Sequence, residues 1–270
     1  AFADKNVGTG KTVNVTGISL SGTDAGNYSL QSSTATTTAN ITAKALTAAY
    51  TASNKVYDAT TAATVLGSSS DVIGSDVVTF NQSAVFVNKN AGTGKTVNVT
   101  GISLGGADAG NYSLQNTTAS TTADISRASL SVTGASASNK VYDATTAATV
   151  GGGAVTALGS DSVTLSGANA TFANKNVGTA KAITTGYTLS GTDAGNYTLV
   201  QASGLTADIS AKALTLAYTA SNKVYDATTA ATVSGSTSDV IGSDVVTFSQ
   251  SAAFADKNVG TGKTVNVTGI

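Results

Sequence analysis

Polar and apolar residues alternate along short runs of this chain, and clusters of Gly, Asn, Ser and Asp separate one run from the next. Residues 96–100 read Thr-Val-Asn-Val-Thr, which is the period-two pattern of a strand with one buried face. Alanines stand beside Thr, Val and Gly without a helical apolar stripe. The pattern therefore predicts an all-β chain.

Between residues 43 and 126 the same pattern predicts a series of short strands. They are expected near 46–51, 55–57, 62–65, 77–80, 84–87, 96–104, 111–115 and 121–126. Seven or eight strands in roughly 84 residues are typical of an immunoglobulin-like β-sandwich. We predict that fold for each stretch of this length.

Three motifs recur with a period of about 84 residues, the size of a small domain rather than of a solenoid unit. The Lys-Val-Tyr-Asp motif supplies Tyr57, Asp58, Tyr142, Asp143, Tyr225 and Asp226. The Asp-Ala-Gly-Asn-Tyr motif supplies Gly26, Tyr28, Gly110, Tyr112, Gly195 and Tyr197. A third motif, Phe-x-Asp/Asn-Lys-Asn, begins at Phe2, Phe86, Phe172 and Phe254.

The phase of these motifs predicts tandem Ig-like repeats. We call them repeats one to four: 1–42 (C-terminal part of a repeat), 43–126 and 127–210 (complete repeats) and 211–270 (N-terminal part). Residues 1–18 are identical to residues 253–270, so we expect a window of a longer array. No Gly/Ser-rich or Pro-rich linker separates the repeats, which predicts a stiff end-to-end rod that advances roughly 30–40 Å per repeat.

The tyrosine of the second motif is a candidate structural corner. Immunoglobulin-type domains often carry a tyrosine two residues before a buried strand position, and its hydroxyl bonds to upstream backbone. The candidates for this corner are Tyr28, Tyr112 and Tyr197, and the alternative is an aromatic residue that merely opens a strand. The glycines before them, Gly26, Gly110 and Gly195, are expected to adopt positive φ in a tight turn.

The aspartate of the first motif has two interpretations. One makes Asp58 a calcium ligand or half of a contact between domains. The other, which we favour, places Val56 or Tyr57 in the core while Asp58 and Thr60 bond the backbone of a turn. The aspartates are mostly single, with no Asp-x-Asp-x-Asp run, so we predict no cofactor and leave calcium as an alternative.

Composition excludes several classes of protein. The chain of 270 residues contains no His and no Cys, which excludes zinc fingers, haem ligation, thiol nucleophiles and Ser-His-Asp triads. The formal net charge is −1, so a basic surface for nucleic acid is not expected, and no apolar run is long enough to span a bilayer. We therefore predict that the chain is not an enzyme.

Together the three motifs resemble the YDG repeat, which is related to the bacterial Ig-like MBG repeat. The matching stretches are Lys-Val-Tyr-Asp-x-Thr-Thr, Asp-Lys-Asn-Val-Gly-Thr-Gly-Lys-x-Val and Asp-Ala-Gly-Asn-Tyr-x-Leu. The chain departs from the family where glycine usually follows Tyr-Asp, at Ala59, Ala144 and Ala227. Such repeats occur in large, secreted, filamentous-haemagglutinin-like adhesins, so the resemblance implies an extracellular stalk at the bacterial cell surface that mediates attachment or biofilm cohesion.

Two further functions stay open as alternatives. A self-assembling extracellular filament is suggested by the absence of Pro and the few Lys that would protect strand edges. A glycan- or ice-binding module would use Thr-rich faces such as residues 34–38. The expected partners are neighbouring repeats, other copies in a filament, and an unknown host or matrix receptor, whereas nucleic acid and membrane insertion are not expected.

Overall fold

The computed structural model describes residues 1–269, and Ile270, the last residue of repeat four, lies outside the described residues. The chain is all-β, as the alternation predicts. Its helical residues form single 3-10 turns at Ala25–Asn27, Ala109–Asn111 and Ala194–Asn196. Among residues 1–269 no helix has the length and hydrophobicity needed to cross a membrane.

Repeats one and two contain the first strands of the chain. They are β1 (Gly8–Thr16), β2 (Thr34–Ile41), β3 (Lys44–Leu46), β4 (Ala49–Ala52), β5 (Lys55–Val56), β6 (Val65–Ser68), β7 (Thr79–Phe86), β8 (Gly92–Gly105), β9 (Tyr112–Leu114) and β10 (Thr118–Ser126). Only two residues separate β2 from β3, so repeat one runs into repeat two without a linker.

Repeats three and four contain the remaining strands. Those of repeat three are β11 (Ala128–Ser131), β12 (Ser136–Ala137), β13 (Lys140–Val141), β14 (Ala147–Ala148), β15 (Val150–Gly151), β16 (Thr164–Ser166), β17 (Ala170–Phe172), β18 (Gly178–Thr184), β19 (Thr188–Ser190), β20 (Tyr197–Val200) and β21 (Thr206–Ser210). Those of repeat four are β22 (Ala217–Ala220), β23 (Val233–Ser236), β24 (Ser251–Phe254) and β25 (Val265–Thr268).

The strands form two compact units that differ from the sequence repeats. The first unit comprises residues 1–130, 157–163 and 191–198, and the second comprises the intervening stretches and residues 199 onward. By sequence, residues 157–163 and 191–198 belong to repeat three. Both stretches contact repeat two, as described below.

Repeat two consists of packed β-layers, consistent with a β-sandwich-like fold. A four-stranded sheet in the order β5-β10-β8-β7 lies against the antiparallel pair β4-β6, and β3 pairs in parallel with β9. Tyr50 of β4 packs against Val99 and Ile102 of β8 in the core between these layers. Val97 and Val99 are buried while Asn98 between them is exposed, which is the alternation read from the sequence.

In the second unit, a five-stranded sheet in the order β13-β21-β18-β17-β14 surrounds a core of Phe172, Ile183 and Ile209. The Tyr187 ring lies against Gly153, where an added Cβ would stand 2.7 Å from the Tyr187 hydroxyl oxygen. Glycine at this position therefore makes room for the aromatic ring.

The strands predicted at 77–80 and 84–87 are one strand, β7. Burial continues to alternate through the intervening polar run Asn81-Gln82-Ser83, and the pairing with β8 only shifts register there. A β-bulge absorbs the irregularity without ending the strand. The strand predicted at 62–65 is also displaced: Ala62 forms an isolated bridge with Val85, and β6 begins at Val65.

Candidate functional site

The Lys-Val-Tyr-Asp motif forms a turn that its own side chains close. The Asp58 carboxylate accepts hydrogen bonds from the Thr60 amide at 2.9 Å and from the Lys55 ammonium at 2.7 Å. Lys55 also donates to the carbonyls of Thr60 and Ala62, each at 2.9 Å. The same bonds recur in repeats three and four, around Lys140, Asp143, Thr145, Lys223, Asp226 and Thr228. These aspartates therefore hold turns together, and Asp58 bonds within its own repeat.

The residue after the aspartate adopts a left-handed backbone. The φ angle is 63° at Ala59, 62° at Ala144 and 63° at Ala227. This conformation costs an L-residue with a Cβ roughly 1–2 kcal/mol, whereas glycine adopts it freely. Alanine is therefore strained at the position where the YDG repeat usually has glycine.

We expect Ala144→Gly to raise the free energy of unfolding by about 1 kcal/mol, because relief of the left-handed strain exceeds the extra backbone entropy that glycine loses on folding. Urea denaturation followed by circular dichroism measures the change. Ala49→Gly is the control, since Ala49 is exposed in β4 without a positive φ, and it should lose roughly 0.5–1 kcal/mol. An equal loss in both variants would contradict the strain assignment.

Tyr57, the residue before the turn aspartate, connects repeat two to repeat three. Its side chain is 2% exposed, and its hydroxyl donates to Asp161 Oδ2 at 2.6 Å. Tyr197 donates to the same oxygen at 2.7 Å, and the two rings meet edge to face with centroids 5.4 Å apart. The Leu158 amide completes the site by donating to the Tyr197 hydroxyl at 2.9 Å. Asp161 thus receives two phenol hydroxyls, one from each repeat.

Lys89 and Asn196 extend this contact. The Lys89 ammonium forms ion pairs with Asp161 and, at 3.2 Å, with Asp193. The Asn196 side chain is buried, and its Oδ1 accepts the Ala91 amide at 2.9 Å. Lys89 belongs to the third motif and Ala91 directly follows that motif, whereas Asp193 and Asn196 belong to Asp-Ala-Gly-Asn-Tyr. The motifs of one repeat therefore bind those of the next, and we call this set of contacts the Asp161 junction.

The same arrangement ties repeat one to repeat two. Lys5 pairs with Asp76 at 2.6 Å and with Asp108 at 2.9 Å, and the Val7 amide donates to Asn111 Oδ1 at 2.9 Å. Tyr112 occupies the place of Tyr197: its hydroxyl donates to Asp76 at 2.8 Å and accepts the Ile73 amide at 2.9 Å. We call these contacts the Asp76 junction.

Between repeats three and four, Tyr142 donates to Asp244 Oδ2 at 2.7 Å and Lys175 pairs with Asp244 at 3.2 Å. We call these contacts the Asp244 junction. Its aspartate is less enclosed than that of the Asp161 junction: the side chain of Asp244 is 26% exposed and that of Asp161 only 1%. The three junctions recur with the sequence period, so they are a property of the repeat.

The groups of the Asp161 junction stabilise one another's protonation states. Burial opposes ionisation of the Asp161 carboxyl, but the hydrogen bonds from Lys89, Tyr57 and Tyr197 outweigh it and hold its pKa below the usual value. The bond to Asp161 raises the pKa of Lys89. Burial, reinforced by the bond to Asp161, raises the pKa of Tyr197 to about 12 from the ordinary 10.0. The protonation states that make the contacts are therefore those that the site itself favours.

We expect the junction to weaken in alkali. Because the folded-state pKa of Tyr197 lies above its unfolded value, its contribution is complete below pH 10 and is lost as the pH rises through 12. Urea denaturation midpoints at several pH values between about 9 and 12 measure the loss. Tyr197→Phe removes the titrating hydroxyl and should give a shallower decline than the wild-type chain. Parallel declines in the two chains would contradict the assignment.

The predicted corner tyrosines differ in their surroundings. Tyr112 and Tyr197 are buried, whereas Tyr28 in repeat one is 74% exposed. The hydroxyls of Tyr112 and Tyr197 bond to upstream backbone, as predicted for a corner tyrosine. Each accepts a hydrogen bond from an amide 39 residues earlier, and each also donates a hydrogen bond to an aspartate. Of the first-motif tyrosines, Tyr57 is buried and Tyr142 is half-buried, while Tyr225 is 56% exposed. Exposure is highest in repeats one and four.

The expectation of positive φ at Gly26, Gly110 and Gly195 is wrong. These glycines lie in the 3-10 turns with ordinary negative φ, and a Cβ there would meet open space. Gly106 and Gly191, four residues earlier, have φ of +97° and +113°, and a Cβ on either would overlap a backbone carbonyl. Two chain segments approach each other closely at the start of the loop, so glycine is required at Gly106 and Gly191 and not at Gly110 and Gly195.

The sequence prediction did not include the lysines and aspartates that make the junctions. A weak indication was present, because Gly-Ser-Asp recurs at Asp76, Asp161 and Asp244 with the same period as the other motifs. Residues 1–269 contain no group of three or more potential metal ligands of the His, Cys, Asp or Glu type. The junctions join successive repeats by hydrogen bonds and ion pairs.

Comparison with known proteins identifies the family. The family model described as YDG domain matches residues 1–38, 42–121, 126–204 and 210–270. No curated protein and no solved structure matches the chain. The matched segments contain the turn motif and the junction residues, and together they account for nearly all of the sequence. The chain belongs to the YDG domain family.

Proposed function

We propose that this chain is a structural stalk segment of a large repetitive extracellular bacterial adhesin that mediates cell-surface attachment or biofilm cohesion, built from tandem Ig-like repeats that follow one another end to end. The observation that carries the proposal is the recurrence of the junction, in which an aspartate of one repeat binds a lysine of the repeat before it. Side-chain contacts between two repeats that are joined by a short segment restrict bending at that segment, whereas a flexible linker would allow it. Such stiffness is what holds an adhesive tip away from a cell.

Strand direction within the repeats supports the mechanical part of the proposal. In repeat two, β5 near the entry of the chain pairs in parallel with β10 at its exit, and Tyr57 N donates to the Ser126 carbonyl at 2.8 Å. Repeat three has the same parallel pair between β13 and β21. Tension on the two ends of a repeat pulls such strands in opposite directions along their length. Their hydrogen bonds are then loaded together in shear instead of opening one by one.

Composition and family support the extracellular part. The chain lacks Cys and Met, the side chains most easily oxidised outside the cell. Antibodies raised against the chain should label intact cells of the bacterium that produces it, and protease added outside should remove the label. Labelling confined to lysed cells would overturn the adhesin proposal.

Force spectroscopy tests the mechanical role. The whole chain is held by its ends in optical tweezers, and the double variant Tyr57→Phe, Lys89→Ala is compared with the wild type. The variant removes the two repeat-two side chains that bond Asp161 and should extend at lower force. Tyr50→Phe is the control, because the Tyr50 hydroxyl is buried without a hydrogen-bond partner among the described residues. Identical extension curves for all three chains would show that the junction bears no load.

A further inference from the structure

Tyrosine is the most easily oxidised side chain in this protein. The chain has nine tyrosines and no Cys, Met, Trp or His, which are the other side chains that oxidants attack readily. An electron removed from the folded chain is therefore taken from a tyrosine. The product is a phenoxyl radical, which reacts at its oxygen and at the two ring carbons ortho to that oxygen.

Two of the nine tyrosines meet at the Asp161 junction. The rings of Tyr57 and Tyr197 pack edge to face, with centroids 5.4 Å apart and an angle of 79° between their planes. Among residues 1–269 the other contact between aromatic rings, that of Tyr50 with Phe80, contains a single phenol. Tyr57 belongs to repeat two and Tyr197 to repeat three, so a bond between these rings would join two repeats.

The hydroxyl ends of the two rings converge on one atom. Both hydroxyls donate to Asp161 Oδ2, at 2.6 Å from Tyr57 and at 2.7 Å from Tyr197. Two hydroxyls that share one acceptor atom lie close together, and the ring carbons ortho to them are brought near one another as well. A carbon–carbon bond between two phenol rings tolerates a large angle between the ring planes, so the edge-to-face packing is compatible with it.

Asp161 supplies a proton acceptor for the oxidation of either tyrosine. A phenol that loses an electron becomes a strong acid, so its proton passes to an acceptor that already contacts the hydroxyl. Burial raises the pKa of Asp161, but the hydrogen bonds from Lys89, Tyr57 and Tyr197 outweigh burial and keep the carboxylate ionised for this role. The Lys89 side chain is one-third exposed and connects Asp161 to solvent.

Burial of the pair directs the reaction to one product. The rings of Tyr57 and Tyr197 are both buried, so neither can meet a tyrosine of another molecule. Electrons cross short distances through protein without contact between the oxidant and the ring. A radical formed on either ring therefore has the other ring as its nearest phenol.

We propose that the Asp161 junction is a site of oxidative cross-linking, at which Tyr57 and Tyr197 join as dityrosine with Asp161 as the proton acceptor. The co-reactant is hydrogen peroxide, used by a haem peroxidase that removes one electron from each tyrosine. Each phenol gives up one electron and one proton, the two radicals form a bond between ortho carbons, and the hydrogens on those carbons move to the oxygens. One peroxide takes up the two electrons and two protons as two molecules of water. The inference rests on the geometry of the junction and not on the stalk proposal.

Mass spectrometry after oxidation locates the bond. The whole chain, diluted so that copies rarely meet, is treated with a peroxidase and hydrogen peroxide, and the product is denatured and digested with trypsin. Trypsin releases Tyr57 in peptide 56–89 and Tyr197 in peptide 182–212. We expect the two peptides as one species, lighter by two hydrogens than their sum, with the bond placed at Tyr57 and Tyr197 by fragmentation. A bond at Tyr187, the other tyrosine of the second peptide, or cross-links confined to other tyrosines, would overturn the proposal.

Oxidation of the unfolded chain separates the geometry of the junction from the reactivity of the tyrosines. In urea the same wild-type chain keeps all of its tyrosines but loses the contact between the two rings. It should give at least about tenfold less of the cross-link between Tyr57 and Tyr197 than the folded chain, because the folded chain holds the two reacting groups together. Equal yields from the folded and unfolded chains would contradict the proposal.

Two variants test the role of Asp161. Asp161→Asn keeps the size of the side chain but removes the proton acceptor, and it should slow formation of the cross-link by roughly tenfold or more. Tyr50→Phe is the matched control, because it removes a buried hydroxyl whose ring meets Phe80 and no second phenol, and it should leave the yield unchanged. Circular dichroism checks that each variant is folded. Equal rates for Asp161→Asn and the wild-type chain would contradict the proposal.

Discussion

Replacement of Asp161 by alanine is expected to lower the free energy of unfolding of the first unit by about 3 kcal/mol. The side chain is 1% exposed and accepts hydrogen bonds from Tyr57 and Tyr197 in addition to its ion pair with Lys89. Its removal leaves two buried hydroxyls without their acceptor and leaves Lys89 with Asp193 as its remaining counter-ion. Breaking a buried pair from one side costs roughly 3–5 kcal/mol, and the lower end applies because Lys89 is one-third exposed.

The repeat provides a graded control for this prediction. Asp244→Ala removes the equivalent carboxylate, but Asp244 is 26% exposed, so water replaces part of what is lost and the decrease should be clearly smaller. Guanidinium denaturation followed by tyrosine fluorescence compares the two variants with the wild-type chain. Equal losses for Asp161→Ala and Asp244→Ala would mean that burial of the junction aspartate does not set its contribution.

Local pattern predicted the local parts of this structure. The alternation of polar and apolar residues predicted β8, because successive residues of a strand face the core and the solvent in turn. The turn at Asp58 was predicted for a similar reason, since all of its bonds join residues at most seven positions apart. Membership of the YDG family followed from motifs that are contiguous in the chain.

The junctions could not be predicted in this way because they join residues that are far apart in sequence. Tyr57 and Asp161 are separated by 104 positions, and neither hydrophobic period nor turn chemistry indicates which tyrosine meets which aspartate. The favoured interpretation placed Val56 or Tyr57 in the core, and the structure buries Tyr57 while Val56 is 59% exposed. A buried tyrosine hydroxyl needs a hydrogen-bond partner. The sequence does not indicate which residue provides it.

The glycines of the Asp-Ala-Gly-Asn-Tyr loop were misassigned for a related reason. A recurring glycine indicates that the backbone nearby adopts a conformation or a close contact that other residues do not tolerate. When two glycines lie four residues apart, as Gly191 and Gly195 do, the sequence does not indicate which of them is required. The constraint is the approach of the loop to the carbonyl of Ser162, which accepts the Asp193 amide at 3.2 Å. In the folded chain this approach falls at Gly191, and a Cβ on Gly195 would meet open space.

Gly191→Ala is accordingly expected to be among the most damaging single substitutions in the chain, with a loss of about 3–5 kcal/mol. The φ of +113° is a conformation that residues with a Cβ rarely adopt, and the new methyl would overlap the Ser162 carbonyl oxygen. Relief of that overlap would move the loop that presents Asp193 to Lys89, so the Asp161 junction should weaken together with the fold. Denaturation midpoints measured by circular dichroism report the loss.

Gly195→Ala in the same loop is the matched control. It adds the same methyl group to a 3-10 turn with negative φ and no atom within 4 Å of the new Cβ, so its effect should stay within about 0.5 kcal/mol of zero. Both substitutions change the unfolded chain alike, because each replaces one glycine by alanine, and the difference between them isolates the folded-state constraint. If Gly195→Ala were the damaging change and Gly191→Ala the neutral one, the motif glycine would be the structural requirement after all, and the loop geometry described above would be wrong.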